Sequence, residues 1–148
     1  MTRVHCAIEI AAPPARVWEV VMDPHRLGDW VTIHRRVGDV PAHLVRGSTF
    51  EQTLNLRGAH LHVFWTVVDV DPPRRAVWEG QGPAHSRAEI VYALRPHGES
   101  ATLFDYTNEF KAPGGPLGAV AGRVLVGGLS QREAQRSLQR LKALIETE

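Results

Sequence analysis

Residues 8–30 read IEIAAPPARVWEVVMDPHRLGDW, and this stretch decides the fold. Every second residue from 4 to 10 is apolar while those between are polar or small, a pattern that predicts a strand. Pro13 and Pro14 suit the first turn of a helix, because the N–H that proline lacks would have no intrahelical partner there. The sequence therefore predicts a strand that passes directly into a helix.

Two short helices are predicted after the strand. Val17, Val20 and Val21 give the first helix an apolar stripe. Asp23 and Pro24 are the residue types of an N-cap followed by proline at the first helical position, so a second helix begins almost at once.

The next part of the chain alternates between apolar and polar residues in six segments, separated by short spacers rich in glycine and proline. This pattern predicts consecutive antiparallel hairpins. The predicted strands span residues 33–40, 49–57, 60–71, 75–81, 88–94 and 102–110.

The C-terminal part has apolar residues at spacings of three and four from Pro116 to Glu146, which predicts one long helix of roughly 45 Å. Gly127 and Gly128 lie inside the stripe that should face the sheet. Because glycine costs about 1 kcal/mol relative to alanine in a helix, this pair needs a reason. Close packing against the sheet and room for a bound molecule are the two alternatives.

Residues that match a known superfamily are spread over the chain. They are Ile10, Ala12-Pro13, Val17-Trp18, Asp23-Pro24, Trp30, residues 67–75, Trp78 and Gly115-Pro116-Leu117-Gly118. With these residues the chain resembles the START-like, or SRPBCC, superfamily, which contains polyketide cyclases, lipid-transfer domains and Bet v 1-like allergens. The resemblance covers nearly the whole chain and implies one domain over residues 1–148. The implied fold is the α+β helix-grip fold, β-α-α-β₆-α, in which a curved seven-stranded antiparallel sheet wraps around a long C-terminal helix and leaves an internal cavity.

A cavity also follows from the predicted architecture. A curved sheet and one helix cannot meet everywhere at the ~10 Å spacing of packed layers. The inward positions are mainly large and apolar with a few polar groups, which is typical of a small-molecule site, although a filled core with buried water is the alternative. The predicted ligand-binding residues are Phe50, Gln52, Leu54, Leu61, Val63, Trp65, Trp78, Ile90, Tyr92, Phe104, Tyr106, Asn108, Val124, Gly128 and Gln131.

Composition restricts the class of partner. The net charge of +1 does not favour nucleic acid or an anionic membrane. No stretch has the ~20 apolar residues needed to cross a bilayer, and the single cysteine, Cys6, fits a reducing cytoplasm. We therefore expect a cytoplasmic protein with a small hydrophobic ligand and no cofactor, while a homodimer or a small protein partner stays open.

Histidines raise the question of a metal site. His60 and His62 share one strand face, as two zinc ligands would, and His85 or Glu89 is a candidate third ligand. That face is predicted to look towards solvent, so we expect solvated histidines and no metal.

Three functions agree with these residues. The first is binding of a small hydrophobic or aromatic molecule, lipid-like or polyketide-like. The second is a cyclase or aromatase that uses the same pocket. No catalytic residue is assigned, although acid–base catalysis through Tyr92, Tyr106 or a group at the pocket edge stays open, with Arg87, Glu89 and Asp105 as the candidates there. The third is a toxin of a bacterial toxin–antitoxin pair, because residues 30–34, WVTIH, resemble that branch of the superfamily.

A basic stripe on the last helix is formed by Arg132, Arg136 and Arg140, which are spaced by four residues. Such a stripe is usually a solvated helix face. Contact with RNA phosphates or with an acidic partner is the alternative.

Overall fold

The computed structural model of the protein describes residues 2–41, 43–111 and 130–148. In this part of the chain a strand and two short helices precede six strands and a C-terminal helix. The elements are β1 (Thr2–Ile10), α1 (Pro14–Val21), a 3₁₀ turn (Pro24–Arg26), α2 (Leu27–Trp30), β2 (His34–Val37), β3 (Thr49–Leu56), β4 (Ala59–Asp71), β5 (Arg75–Gln81), a second 3₁₀ turn (Pro83–His85), β6 (Arg87–Pro96), β7 (Thr102–Lys111) and α3 (Gln131–Thr147).

The strands form one seven-stranded antiparallel sheet in the order β1-β7-β6-β5-β4-β3-β2. Each strand from β2 to β7 pairs with the next in the chain, and β1 pairs with β7. The register of β4 against β5 shifts between Val67 and Asp69, an irregularity of the kind that bends a sheet. The sheet is curled with the C-terminal helix against it, which confirms the predicted helix-grip fold. β2 is shorter than the predicted 33–40.

The opening of the chain is as predicted. Pro14 is the first residue of α1, and Val17, Val20 and Val21 are fully buried. Asp23 caps the following turn by accepting the backbone N–H of His25 at 3.0 Å.

The C-terminal helix requires a correction at Ser130, inside the helix predicted from Pro116 to Glu146. Ser130 has an extended backbone, with φ −75° and ψ 161°, and its Oγ accepts the N–H of Glu133 at 3.1 Å. An N-cap of this kind begins a helix and cannot continue one, so α3 starts at Gln131. The predicted glycine pair and Val124 lie outside the described residues. No described helix has the length and apolar character needed to cross a membrane.

The core is built around the ring of Tyr92, on β6. Its centroid lies 5.2 Å from that of Trp78, 5.4 Å from Phe104, 6.0 Å from Tyr106 and 6.1 Å from Trp30. Tilted and edge-to-face pairs of this kind each contribute about 0.5–1.5 kcal/mol beyond their buried area. Leu138, Leu141 and Ile145 of α3 belong to the same buried core.

Candidate ligand cavity between the sheet and the C-terminal helix

A cavity of about 60 Å³ lies between the sheet, the connection from α2 to β2 and the first turns of α3. It has room for a few waters, at about 10–15 Å³ for each water position. Seven strand residues of the predicted set line it: Gln52, Leu54, Trp78, Ile90, Tyr92, Tyr106 and Asn108. The other described lining residues are Val4, Leu27, Trp30, Val31, Thr32, Ile33, Ser130, Glu133, Ala134, Ser137 and Leu138.

Three buried polar atoms in the cavity wall have no hydrogen-bond partner among the described residues. They are the indole Nε1 atoms of Trp30 and Trp78 and the amide Oδ1 of Asn108. A buried polar group without a partner costs about 1–3 kcal/mol, and such groups are few in native proteins. The residues that carry these two donors and one acceptor line the mostly apolar cavity, and the described protein groups leave the three atoms without a hydrogen bond.

The third buried tryptophan differs from these two. Trp65 donates its indole N–H to Gln52 Oε1 at 2.8 Å, and Gln52 Nε2 donates to His34 Nδ1 at 2.9 Å. Burial lowers the pKa of His34, which favours the neutral ring that this acceptor role needs. Gln52 is therefore held at the cavity wall by partners on both sides.

The two tyrosines of the wall are held protonated. Enclosure of the hydroxyl raises the pKa of Tyr106 to about 12, and burial raises the pKa of Tyr92 well above its ordinary value. Asn108 Nδ2 donates to the Tyr106 hydroxyl at 3.0 Å, which orients the free Oδ1. At neutral pH both phenols act as hydrogen-bond donors or acceptors and not as bases.

The wall between α2 and α3 is fastened by Thr32. Its backbone N–H donates to Ser137 Oγ at 3.0 Å, and its hydroxyl donates to Glu133 Oε2 at 2.6 Å. These bonds connect the segment after α2 to the first two turns of α3. They place Glu133 at the rim of the cavity.

Six predicted site residues within the described chain do not line the cavity. Phe50, Val63, Trp65 and Phe104 are buried, but Phe50 and Trp65 pack on Trp78 and Phe104 packs on Tyr92, so these rings form a layer next to the lining. Leu61, near the start of β4, is only partly buried. Gln131 does not line the cavity either: α3 starts there, and its exposed side chain donates to Cys6 Sγ on β1 at 3.0 Å. Val124 and Gly128 lie outside the described residues.

The candidate zinc histidines lie on an exposed part of the sheet. His60 Nε2 lies 2.8 Å from Arg35 Nη1, and His62 Nδ1 lies 3.2 Å from Thr53 Oγ1. Within residues 2–41, 43–111 and 130–148, no three histidine, cysteine or acidic side chains are placed to hold a metal ion.

The profile described as "Polyketide cyclase / dehydrase and lipid transport" matches residues 1–146. The chain belongs to this polyketide cyclase/dehydrase and lipid transport family. Membership confirms the resemblance that the opening residues indicated.

Two proteins of Mycobacterium tuberculosis are similar to this chain in sequence. The one named Toxin Rv0910 is 27% identical over 128 residues, which is 84% of this chain and 88% of that protein. The uncharacterized protein Rv1546 is 26% identical over 133 residues, or 88% and 93% of the two chains.

Solved structures share the fold. TTHA0849 from Thermus thermophilus aligns with a TM-score of 0.78 at 20% identity over 99% of this chain and 98% of that one. The Zhui aromatase/cyclase from Streptomyces sp. R1128 aligns with a TM-score of 0.77 at 15% identity over 98% and 93%. At these identities the likeness concerns the fold alone.

The part of the cavity wall that lies outside the sheet was not predicted from the sequence. Most of that part consists of residues 30–33, the N-cap Ser130 and the inner face of α3 as far as Leu138. The signal for α3 was a capping box, Ser130 followed three residues later by Glu133, which marks a helix start. No local signal placed residues 30–33 against α3, because that contact joins segments about a hundred residues apart.

Proposed function

We propose that the protein binds a small hydrophobic or aromatic molecule, polyketide-like or lipid-like, in the cavity between the sheet and α3, which widens beyond its described volume of about 60 Å³ to admit the ligand. One observation carries the proposal: Trp30 Nε1, Trp78 Nε1 and Asn108 Oδ1 are buried in an apolar wall without described partners. A ligand with a carbonyl or hydroxyl oxygen and one donor group would satisfy them. Apolar burial would supply most of the affinity, at about 25 cal/mol per Å² before association costs.

The cavity can be tested with a neutral fluorescent probe, N-phenyl-1-naphthylamine. Ala134 lines the cavity from α3, so Ala134→Leu should fill it and weaken probe binding by about tenfold or more. Ala143→Leu is the matched control, because Ala143 is exposed on the same helix. Equal binding by the two variants, with both folded by circular dichroism, would refute the cavity proposal.

The polar groups can be tested by displacing the probe with two ligands of similar size. 2-Acetylnaphthalene carries a carbonyl acceptor for the indole N–H groups, and 2-ethylnaphthalene does not. We expect the ketone to bind about five- to tenfold more tightly, as one net hydrogen bond of about 1 kcal/mol implies. Trp30→Phe and Trp78→Phe should reduce this preference, and a preference that survives in both variants would show that these groups do not contact the ligand.

The enzymatic alternative, a cyclase or aromatase, would use the same cavity. Because Tyr92 and Tyr106 are held protonated, they would act there as acids or as hydrogen-bond donors to a substrate oxygen.

We propose that the protein is cytoplasmic, since its single cysteine, Cys6, is buried and forms no disulfide.

A toxin-like role is the second candidate, and the relative named Toxin Rv0910 favours it. Induced expression of the chain should then arrest growth of a bacterial host. If the wild-type chain and Ala134→Leu arrest growth of the host equally, the toxin-like role does not depend on cavity binding. If the wild-type chain causes no growth arrest, the toxin-like role is refuted.

A further inference from the structure

An open cleft of about 620 Å³ adjoins the cavity and is lined by three arginines, Arg57, Arg132 and Arg136. The two spaces share part of their walls, because Thr32 and Glu133 line both of them. A molecule whose body occupied the narrow cavity would therefore meet the arginines where it emerges.

The arginines reach the cleft from two separate elements. Arg57 and Gly58 form the turn between β3 and β4 with positive φ values of 52° and 84°, the two-residue hairpin turn in which glycine and asparagine are the usual residues. Asn55 Oδ1 accepts the N–H of Gly58 at 3.0 Å and stabilises this turn. Arg132 and Arg136 come from the first turns of α3, on the other side of the cleft.

The charges of the cleft are only partly balanced. Glu133 Oε1 lies 3.4 Å from Arg136 Nη1, and its other oxygen accepts the Thr32 hydroxyl. Arg57 and Arg132 form no ion pair with any residue in the described part of the chain. Three arginines against one carboxylate leave an excess of positive charge at the mouth of a mostly apolar cavity.

We propose that the ligand is an amphipathic anion, with its apolar body in the cavity and a carboxylate or phosphate group held by Arg57, Arg132 and Arg136. This inference rests on the proposed function and extends it, because it specifies the charge of the ligand and where that charge is bound. Guanidinium groups suit this task, because they present paired N–H donors to carboxylate and phosphate oxygens.

The test compares two probes that share one framework. 1-Anilinonaphthalene-8-sulfonate is N-phenyl-1-naphthylamine with an added anionic group, so the ratio of their affinities isolates the effect of the charge. Wild-type protein should bind the sulfonate more tightly than the neutral probe at low salt, and the difference should shrink as salt rises.

Variants then place the effect on the cleft. Arg57→Gln and Arg132→Gln should each weaken sulfonate binding by about two- to fivefold, the range of exposed ion pairs, while neutral-probe binding stays unchanged. Arg95→Gln is the control with the same change in net charge, since Arg95 is an exposed residue of β6 outside the cleft. Displacement by 1-naphthoate and by 1-naphthyl phosphate distinguishes a carboxylate ligand from a phosphate ligand.

The outcomes separate the two proposals. If the wild-type protein does not bind the neutral probe, the proposal that the cavity binds a ligand is refuted. Neutral-probe binding without a preference for the sulfonate, or a preference equally reduced by Arg95→Gln, would overturn the anionic ligand alone.

Discussion

Trp65 and Gln52 are joined by a buried hydrogen bond of 2.8 Å between the indole N–H and the amide oxygen. They lie on the neighbouring strands β3 and β4. Gln52 pairs with Val63, and Trp65 is two residues further along β4. The bond separates two kinds of buried tryptophan in this protein. The N–H of Trp65 has its partner within the core, whereas the N–H groups of Trp30 and Trp78, two residues that line the cavity, have none among the described residues.

Removing the acceptor of this bond should destabilise the fold. Gln52→Leu leaves the Trp65 N–H buried without a partner, and we expect the free energy of unfolding to fall by about 1–3 kcal/mol. Urea denaturation measures this, with Gln135→Leu on the exposed face of α3 as a control expected within about 0.5 kcal/mol of wild type. A Gln52→Leu protein as stable as the control would contradict this role.

Gly80 makes room for the Trp65 ring. A Cβ at Gly80 would lie 2.7 Å from Trp65 Cζ3 and 2.8 Å from Val63 Cγ1, far inside contact distance. Gly80→Ala should therefore cost about 1–3 kcal/mol in the free energy of unfolding, as overpacking does. Gly38→Ala is the control, because its Cβ would approach Glu51 O only to 4.0 Å. Equal stability of the two alanine variants would be evidence against the steric argument.

Thr102 fastens β7 to the segment before α1. Its buried hydroxyl donates to the carbonyl oxygen of Ala12 at 2.7 Å. Thr102→Val preserves the shape but leaves that carbonyl short of a donor, so the free energy of unfolding should fall by about 1 kcal/mol or somewhat more. Thr66→Val, at an exposed position of β4, should change it little; a similar loss in both variants would attribute the effect to threonine replacement in general.

His34 should make the protein sensitive to acid. Burial lowers its pKa in the folded state below the ordinary 6.5, so the unfolded chain binds the proton more readily. The stability that depends on neutral His34 is complete above about pH 6.5 and is lost as the pH falls through the folded-state pKa. An NMR titration of the His34 ring should give a midpoint below 6.5, and unfolding of His34→Asn should depend less on pH over this range. A midpoint at or above 6.5 would contradict the sign.

Much of the fold followed from local sequence. Three predicted features depend on residues that are close together in the chain: the first strand followed by a helix at Pro14, the cap at Asp23 and the alternating strands. The structure contains all of them. The capping box at Ser130 was also local, but the apolar spacing on both sides of it favoured one continuous helix. The start of α3 could therefore have been predicted, and the periodicity concealed it.

The cavity, too, was predicted only as far as local sequence determines it. Alternation along a strand determined which side chains point inward, and seven of those inward residues, including Gln52 and Asn108, do line the cavity. Which inward residues reach the empty space, and which pack beneath Trp78 and Tyr92, depended on how neighbouring rings fill volume across the sheet. The approach of Thr32 to Ser137, which completes the wall, joins segments distant in the chain. Periodicity in the sequence encodes the direction of a side chain, but only the packed tertiary structure decides what that side chain meets.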